Sequence, residues 1–296
     1  MELLHFNGPI WRPPFEATSQ LLQVTAGCTH NRCKFCSLYE GQPFRMSPLS
    51  EIEEDLQVIR EYQPRARRVF LTGANPFALR YDRLVDIGLL IRKYLREGMP
   101  TIGCFARITD IKRKTVEELQ DLRHLGYDYI SIGTESGDND TLEYMNKGYD
   151  SEEIIRQCRK LQNAGIHYNL TYLTGLAGKG KGIKNALNTA KVYSQLSPAS
   201  VNLVSLTIFP GSVLYEEVKN GLYEEAGEHE RIEELIALIE NLTCRTHIIG
   251  NTVSNPVTLT GSLPTDRNTM INILKETENA ISEESLRDYR DGIRSL

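Results

Sequence analysis

Three of the six cysteines fall within nine residues, Cys28-Thr29-His30-Asn31-Arg32-Cys33-Lys34-Phe35-Cys36. The segment is polar and Gly27 precedes it, so core packing does not account for the thiols. Before it runs Leu21-Leu22-Gln23-Val24-Thr25, which reads as a buried strand. After it, Ser50-Glu51-Ile52 opens a helical pattern with a good N-cap and acids in the first turn, and Ile52, Leu56 and Ile59 share one face. The thiols therefore lie on a strand-to-helix loop, where a parallel α/β sheet carries its chemistry. Three close thiolates can hold three irons of a [4Fe–4S] cube and leave the fourth iron open. They can also hold zinc, with His30 as a fourth ligand. Against zinc, His30 stands between two of the cysteines and no second pair follows at zinc-ribbon spacing. A disulfide is disfavoured because the chain does not start with a basic stretch and an apolar core, as a secretory signal would.

Strand and helix signals alternate from Leu21 onward. Arg68-Val69-Phe70-Leu71-Thr72, Thr101 to Ala106, Tyr129 to Ile132, Tyr168 to Leu173 and Val201 to Thr207 read as the next strands, each separated from the next by a helical pattern. Six strand–helix units of this size imply parallel pairing with right-handed crossovers. Six is too few for a closed eight-stranded barrel, so the expected fold is α/β, a partial (β/α)6 TIM-like barrel with a helical C-terminal extension. The expected divisions are an irregular, proline-rich lead-in over 1–20, the barrel over 21–212, and an extension over 213–296 packed on it. In the lead-in, Trp11 and Arg12 are expected to belong to a packed cover over one end of the barrel, with closure of the active site by Arg12 as the other reading. Within the extension, 244–266 is rich in Thr, Asn, Pro and Gly and is expected to be irregular.

Of the 296 residues, 40% are hydrophobic and 25% charged, with a net charge of −5. That is a globular composition with no bulk charge for a polyanion, which argues against nucleic acid as a partner. No apolar run approaches a membrane span. A cytoplasmic, oxygen-poor setting suits reduced thiols.

The cysteine loop resembles that of the radical S-adenosylmethionine (SAM) superfamily, in the Gly before the first Cys, the pair Cys33-Lys34-Phe35-Cys36, and the aromatic Phe35 before the last ligand. The commonest spacing in that family leaves three residues between the first two cysteines, and this chain has four. The resemblance implies that Cys28, Cys33 and Cys36 hold a [4Fe–4S] cluster whose open iron binds SAM. It implies reductive cleavage of SAM to a 5′-deoxyadenosyl radical that takes hydrogen from a substrate, with a flavodoxin or ferredoxin as electron donor. The strand ends carry further matches. Leu71-Thr72-Gly73-Ala74-Asn75-Pro76 stands in the place of the glycine-rich segment that holds the amino group of SAM, with Gly73 and Asn75 as its candidates. Gly133-Thr134-Glu135-Ser136-Gly137 resembles the segment in which the Glu135 carboxylate would take the ribose hydroxyls and Ser136 would contact the methionine carboxylate or ribose. Arg107, at the end of the third strand, would pair with the methionine carboxylate. Leu173-Thr174-Gly175-Leu176-Ala177-Gly178 resembles the segment that packs on adenine.

The style of the glutamate segment resembles the branch with oxygen-independent coproporphyrinogen oxidases and tRNA-modifying enzymes. With no basic RNA-binding segment appended, a small molecule or a peptide is the expected substrate. Cys104 and Tyr172 are the candidates for direct participation in the chemistry, and Cys158 and Cys244 read as core. Gly178-Lys179-Gly180-Lys181-Gly182 has the start of a phosphate-binding loop but lacks the hydroxyl that would hold Mg²⁺, so it reads as a turn with two lysines. Two other classes remain at this point, a zinc-stabilised ligand-binding barrel and an iron–sulfur electron-transfer protein indifferent to SAM.

Overall fold

The computed structural model describes residues 4–294. In chain order its elements are β1 (Gln20–Gln23), β2 (Thr25–Ala26), β3 (Arg45–Met46), α1 (Leu49–Tyr62), β4 (Arg68–Thr72), α2 (Tyr81–Tyr94), β5 (Thr101–Ala106), α3 (Ile108–Lys112), α4 (Val116–Leu125), β6 (Tyr127–Glu135), α5 (Asn139–Tyr144), α6 (Ser151–Asn163), β7 (His167–Thr174), α7 (Gly182–Tyr193), β8 (Ser200–Ser205), α8 (Val213–Lys219), α9 (Glu228–Asn241), β9 (Thr246–Gly250), β10 (Leu259–Leu263), α10 (Arg267–Ala280) and α11 (Glu283–Asp291). The chain forms two compact units. One comprises residues 1–31, 38–133 and 157–168, the other 32–37, 134–156 and 169–296.

In the first unit, strands run in the order β1-β4-β5-β6, all parallel, and β2 pairs antiparallel with β3. The sequence explains the elements. Val69, Phe70 and Leu71 of β4 are buried, as a two-sided parallel strand requires. Ile52, Leu56 and Ile59 form the buried stripe of α1. α4 begins with a capping box, Thr115 accepting from Glu118 N–H and Glu118 accepting from Thr115 N–H, and ends at Gly126 in the left-handed region. The lead-in seals the amino ends of these strands. Glu16, nearly fully buried, takes Arg68 at the start of β4, and Arg68 also reaches Thr101 of β5 (2.9 Å) and Asp128 of β6. Phe15 sets its ring edge-on to Tyr129. Of the cover expected over the barrel's end, Pro13, Glu16 and Ser19 are buried, Trp11 is half-buried, and Arg12 and Phe15 are exposed.

In the second unit the order is β7-β8-β9-β10, with β7, β8 and β9 parallel and β10 antiparallel to β9. This corrects the expectation for 244–266. Thr246, Ile248 and Gly250 are buried on one face of β9 while His247 is exposed and Ile249 half-buried, an alternation short enough to be masked by the polar turn residues around it. Buried Arg231 of α9 and Arg290 of α11 tie the extension to this sheet through Ser205 and the Leu206 carbonyl, with Glu228 and Glu225 balancing them. Among the described residues no helix is long and apolar enough to cross a membrane.

Candidate active site

In the first unit the start of the cysteine loop is tethered to the loop after β4. Asn75, fully buried, accepts from Thr29 N–H (3.2 Å) and donates to Thr29 Oγ1 (2.6 Å) and Asp110 Oδ2 (2.9 Å). Asp110 also accepts the Arg107 N–H (2.8 Å), while the Arg107 guanidinium donates to Thr109 (3.1 Å). Asn75 was expected to offer a polar group to a cofactor. Its side chain is instead spent within the protein, fixing the residue next to Cys28, whose Sγ accepts from Asn31 N–H at 3.4 Å. Thr29 and Asp110 are therefore members of this tether that spacing alone did not reveal, because their role in it depends on contacts across many residues. Gly73 has φ +127°, and a Cβ there would come within 2.0 Å of Thr25 Oγ1. Thr25 Oγ1 and Thr72 Oγ1, both buried, have no hydrogen-bond partner among the described residues. The glycine is required because Thr25 packs where a Cβ would stand, and the two orphaned hydroxyls are what a polar ligand group would complete.

In the second unit the rest of the cysteine loop is gripped by the segment after α5 and by α8. Lys34 N–H donates to Met145 O (3.2 Å), Leu214 N–H donates to Lys34 O (2.8 Å), and Asn146 donates to Arg32 O (3.0 Å). The Lys34 ammonium lies over the Tyr144 ring and pairs with Glu217 at 2.7 Å. Phe35 packs on an apolar cluster of Met145, Leu173, Leu176, Leu206, Leu214 and Tyr223. Leu173 and Phe35, two residues expected to touch the cofactor, thus share one apolar wall. Glu135 ends β6 with φ +68°, a left-handed conformation uncommon for a residue with a side chain. Its carboxyl is 3.7 Å from the ammonium of Lys147, which is almost fully buried and lies 5.5 Å from the Phe35 ring centre and 5.6 Å from that of Tyr149. Burial pushes the Glu135 carboxyl up, and Lys147 opposes that rise. Lys147 is thus a site residue that the sequence presented only as a basic position downstream of the glutamate.

Ser136 is fully buried, its hydroxyl donating to Asn185 (2.5 Å) and accepting from Asp138 N–H (2.9 Å), so it shapes its loop from within. A cavity of about 290 Å³ opens along Thr141, Tyr144, Leu176, Ala177, Lys181 and Lys184, on the segment expected to meet adenine. The lysine-rich turn is bound to acids. Lys179 pairs with Glu224, and Gly180 N–H donates to Glu230, which leaves no open phosphate cradle. Two expectations are corrected. Cys104 is fully buried in β5 with its thiol pushed far up by desolvation, so it is a core thiol and not a reactive one. Tyr172 is fully buried and its hydroxyl is held by Glu234 and Asn185, away from any chamber. Cys158 and Cys244 are buried, as expected.

Cys28, Cys33 and Cys36 are all half-buried on this loop. Among the described residues no three His, Cys, Asp or Glu side chains converge as for a single metal ion. In an iron–sulfur cube each thiolate binds a different iron, so the thiolates are set apart by the cube. A family model described as the radical SAM superfamily matches residues 22–191, more than half of the chain. The chain belongs to the radical SAM superfamily. It is therefore an enzyme of the class that works with SAM and a [4Fe–4S] cluster, and the donor set and the orphaned hydroxyls fit those groups. An uncharacterized protein of Methanocaldococcus jannaschii is 25% identical over 234 residues, 75% of this chain and 71% of that protein. The heme chaperone HemW of Bacillus subtilis is 22% identical over 202 residues, 66% of this chain, and this chain spans about half, 52%, of its length. Among solved structures, coproporphyrinogen III oxidase HemN of Escherichia coli, a radical SAM enzyme, superposes with a TM-score of 0.56 at 15% identity, covering 76% of this chain and 52% of that one. The α/β partial-barrel class expected from the strand–helix alternation is the fold of these enzymes.

Proposed function

We propose that this radical SAM enzyme abstracts hydrogen from a small molecule or a peptide, with Cys28, Cys33 and Cys36 as the cluster ligands. When bound, the cluster supplies the electron that cleaves SAM to the 5′-deoxyadenosyl radical. The observation that carries the reading is the placing of Glu135. A half-buried carboxylate at a strand end, steadied by the buried ammonium of Lys147 against Phe35 of the cysteine loop, suits two ribose hydroxyls as donors. Gly73 lets Thr25 pack against the backbone after β4, and the unpaired Thr25 and Thr72 hydroxyls are partners for the amino group of SAM. Leu173, Leu176 and Phe35 supply an apolar wall that keeps water from the reacting groups. Arg107, whose guanidinium donates to Thr109, is the cation for the methionine carboxylate. A flavodoxin or ferredoxin supplies the electron, in a cytoplasmic, oxygen-poor setting.

The test uses anaerobically reconstituted protein. Iron content, the visible spectrum, and 5′-deoxyadenosine after dithionite and SAM are measured. The expected outcome is brown protein with about four irons per chain and formation of 5′-deoxyadenosine, both lost in Cys33→Ala. Colourless protein with bound zinc, or a brown protein that leaves SAM intact, overturns the proposal.

A further inference from the structure

Outside the segment matched by the family, α9 sends one carboxylate into the interior of the second unit. Glu234 is fully buried. Its Oε1 accepts from the Tyr172 hydroxyl (2.5 Å) and from Asn185 Nδ2 (2.9 Å), and its Oε2 accepts from Gly175 N–H (2.7 Å). Asn185 carries the connection further. Its Nδ2 also donates to Tyr172 Oη (2.9 Å), and its Oδ1 accepts from the Ser136 hydroxyl (2.5 Å). One carboxylate thereby joins the loop after β6, which begins beside Glu135, to the turn after β7 that contains Gly175. At Gly175 φ is +82°, and a Cβ there would meet Arg231 at 2.6 Å, so this turn has one narrow conformation. Burying a carboxylate is costly even when every donor is in place, and an apolar residue of similar size is often as stable. What the carboxylate adds is geometry, because each of its bonds fixes a distance between parts of two loops.

We infer that Glu234 is a positioning residue for SAM, fixing the Gly133–Gly137 loop through Asn185 and Ser136, and the Leu173–Gly178 turn through the Gly175 N–H. The inference rests on the SAM reading of those two segments, and it makes the C-terminal extension part of the cofactor site. It also gives the site a pH dependence. Burial pushes the Glu234 carboxyl up to about 7, against the lowering effect of Tyr172, Gly175, Asn185 and Arg231. The groups that face it are Tyr172 from β7, Asn185 from α7, Tyr223 from the segment after α8 and Arg231 from α9 itself, while Asp138 and Tyr193 act on Tyr172 from the loop after β6 and from α7. Ionised, Glu234 accepts all three bonds. Protonated, its own O–H needs an acceptor among neighbours that are donating, and one bond is lost.

SAM affinity of the reconstituted full chain, measured by anaerobic calorimetry from pH 6 to 8.5, tests this. Wild type is expected to bind SAM more weakly below about pH 7. Glu234→Gln, whose amide faces the Gly175 N–H or the Asn185 amide as a second donor, is expected to bind about tenfold more weakly at pH 8 and to lose the pH dependence, with iron content unchanged. Asn185→Ala keeps the Gly175 bond and breaks the path to Ser136, and it is expected to weaken SAM binding while keeping the pH dependence. Glu234→Gln with wild-type affinity and the wild-type pH profile overturns the inference. Should that variant fail to fold, wild-type affinity in Asn185→Ala overturns it equally. If wild type binds no SAM at any pH, the SAM reading falls and takes the inference with it, an outcome distinct from SAM binding that Glu234 does not affect.

Discussion

A buried ammonium is stable only when its charge is met, and that of Lys147 is met by Glu135 and by the faces of Phe35 and Tyr149. Its place between the glutamate and the cysteine loop lets one substitution separate cofactor binding from cluster assembly. Glu135→Gln removes the anionic acceptor, so SAM affinity should fall about 10- to 100-fold, the range for a hydrogen bond to a charged group, while iron content stays at the wild-type level. Lys147→Met should leave the Glu135 carboxyl free to rise further, because the cation that lowers it is gone. The carboxylate that receives the ribose is then lost at a higher pH than in wild type. Calorimetric SAM titrations across pH would show the affinity of Lys147→Met failing first on the acid side. Loss of iron in either variant would mean that these residues build the cluster loop and not the SAM site.

At the scale of elements, the loop after β4 and the first helices of the first unit hold the start of the cysteine loop. Asn75→Ala leaves Thr29 and Asp110 without their shared partner. It should lower cluster retention on anaerobic gel filtration, with little change in the melting of the apoprotein. Lys114 pins the same region from beneath, its ammonium donating to Phe77 O (2.6 Å), Leu79 O (3.0 Å) and Asp110 O (3.3 Å). Burial lowers it from 10.5 to about 8. The sign follows from linkage. Between about pH 8 and 10.5 the unfolded chain holds the proton and the folded chain has released it, so stability rises with pH across that window. Chemical denaturation of wild type and Lys114→Met at pH 8, 9 and 10 should show this rise in wild type alone. The cap of α4 is an independent control. Thr115→Ala should cost about 1 kcal/mol of stability without touching iron or SAM binding, since its hydroxyl bonds within its own turn, to Glu118 and Glu117.

At the scale of the whole molecule, the C-terminal residues belong to the same compact unit as the glutamate loop and the later part of the cysteine loop. β9 covers the edge of β8, and Leu214 and Tyr223 complete the apolar cluster around Leu173 and Phe35. Truncation after Gly211 exposes an unpaired strand edge and that apolar wall, so the product should aggregate and show no cooperative melting by circular dichroism. Soluble, cooperatively folding protein from that truncation would show that the extension is dispensable for the unit.

The sequence alone determined the class of fold and the place of the chemistry. Strand and helix periods are local properties, and the spacing of Cys28, Cys33 and Cys36 after an apolar run is visible without any fold. The α4 boundaries are local in the same sense, since Thr115, Glu118 and Gly126 act within their own turns. Only the tertiary structure decided what each polar side chain is used for. Asn75 and Ser136 read as groups for a cofactor, and Tyr172 as a candidate for the chemistry, because spacing cannot show which donors are already bonded; the fold gives them to Thr29, Asn185 and Glu234. Lys147 was visible in the sequence only as part of Lys147-Gly148 in the style of the glutamate segment, and Glu234 was silent, for the converse reason. A lysine or glutamate in a helical or loop pattern is by default a solvated charge, and it becomes part of a site only where long-range packing strips its water and sets a partner against it.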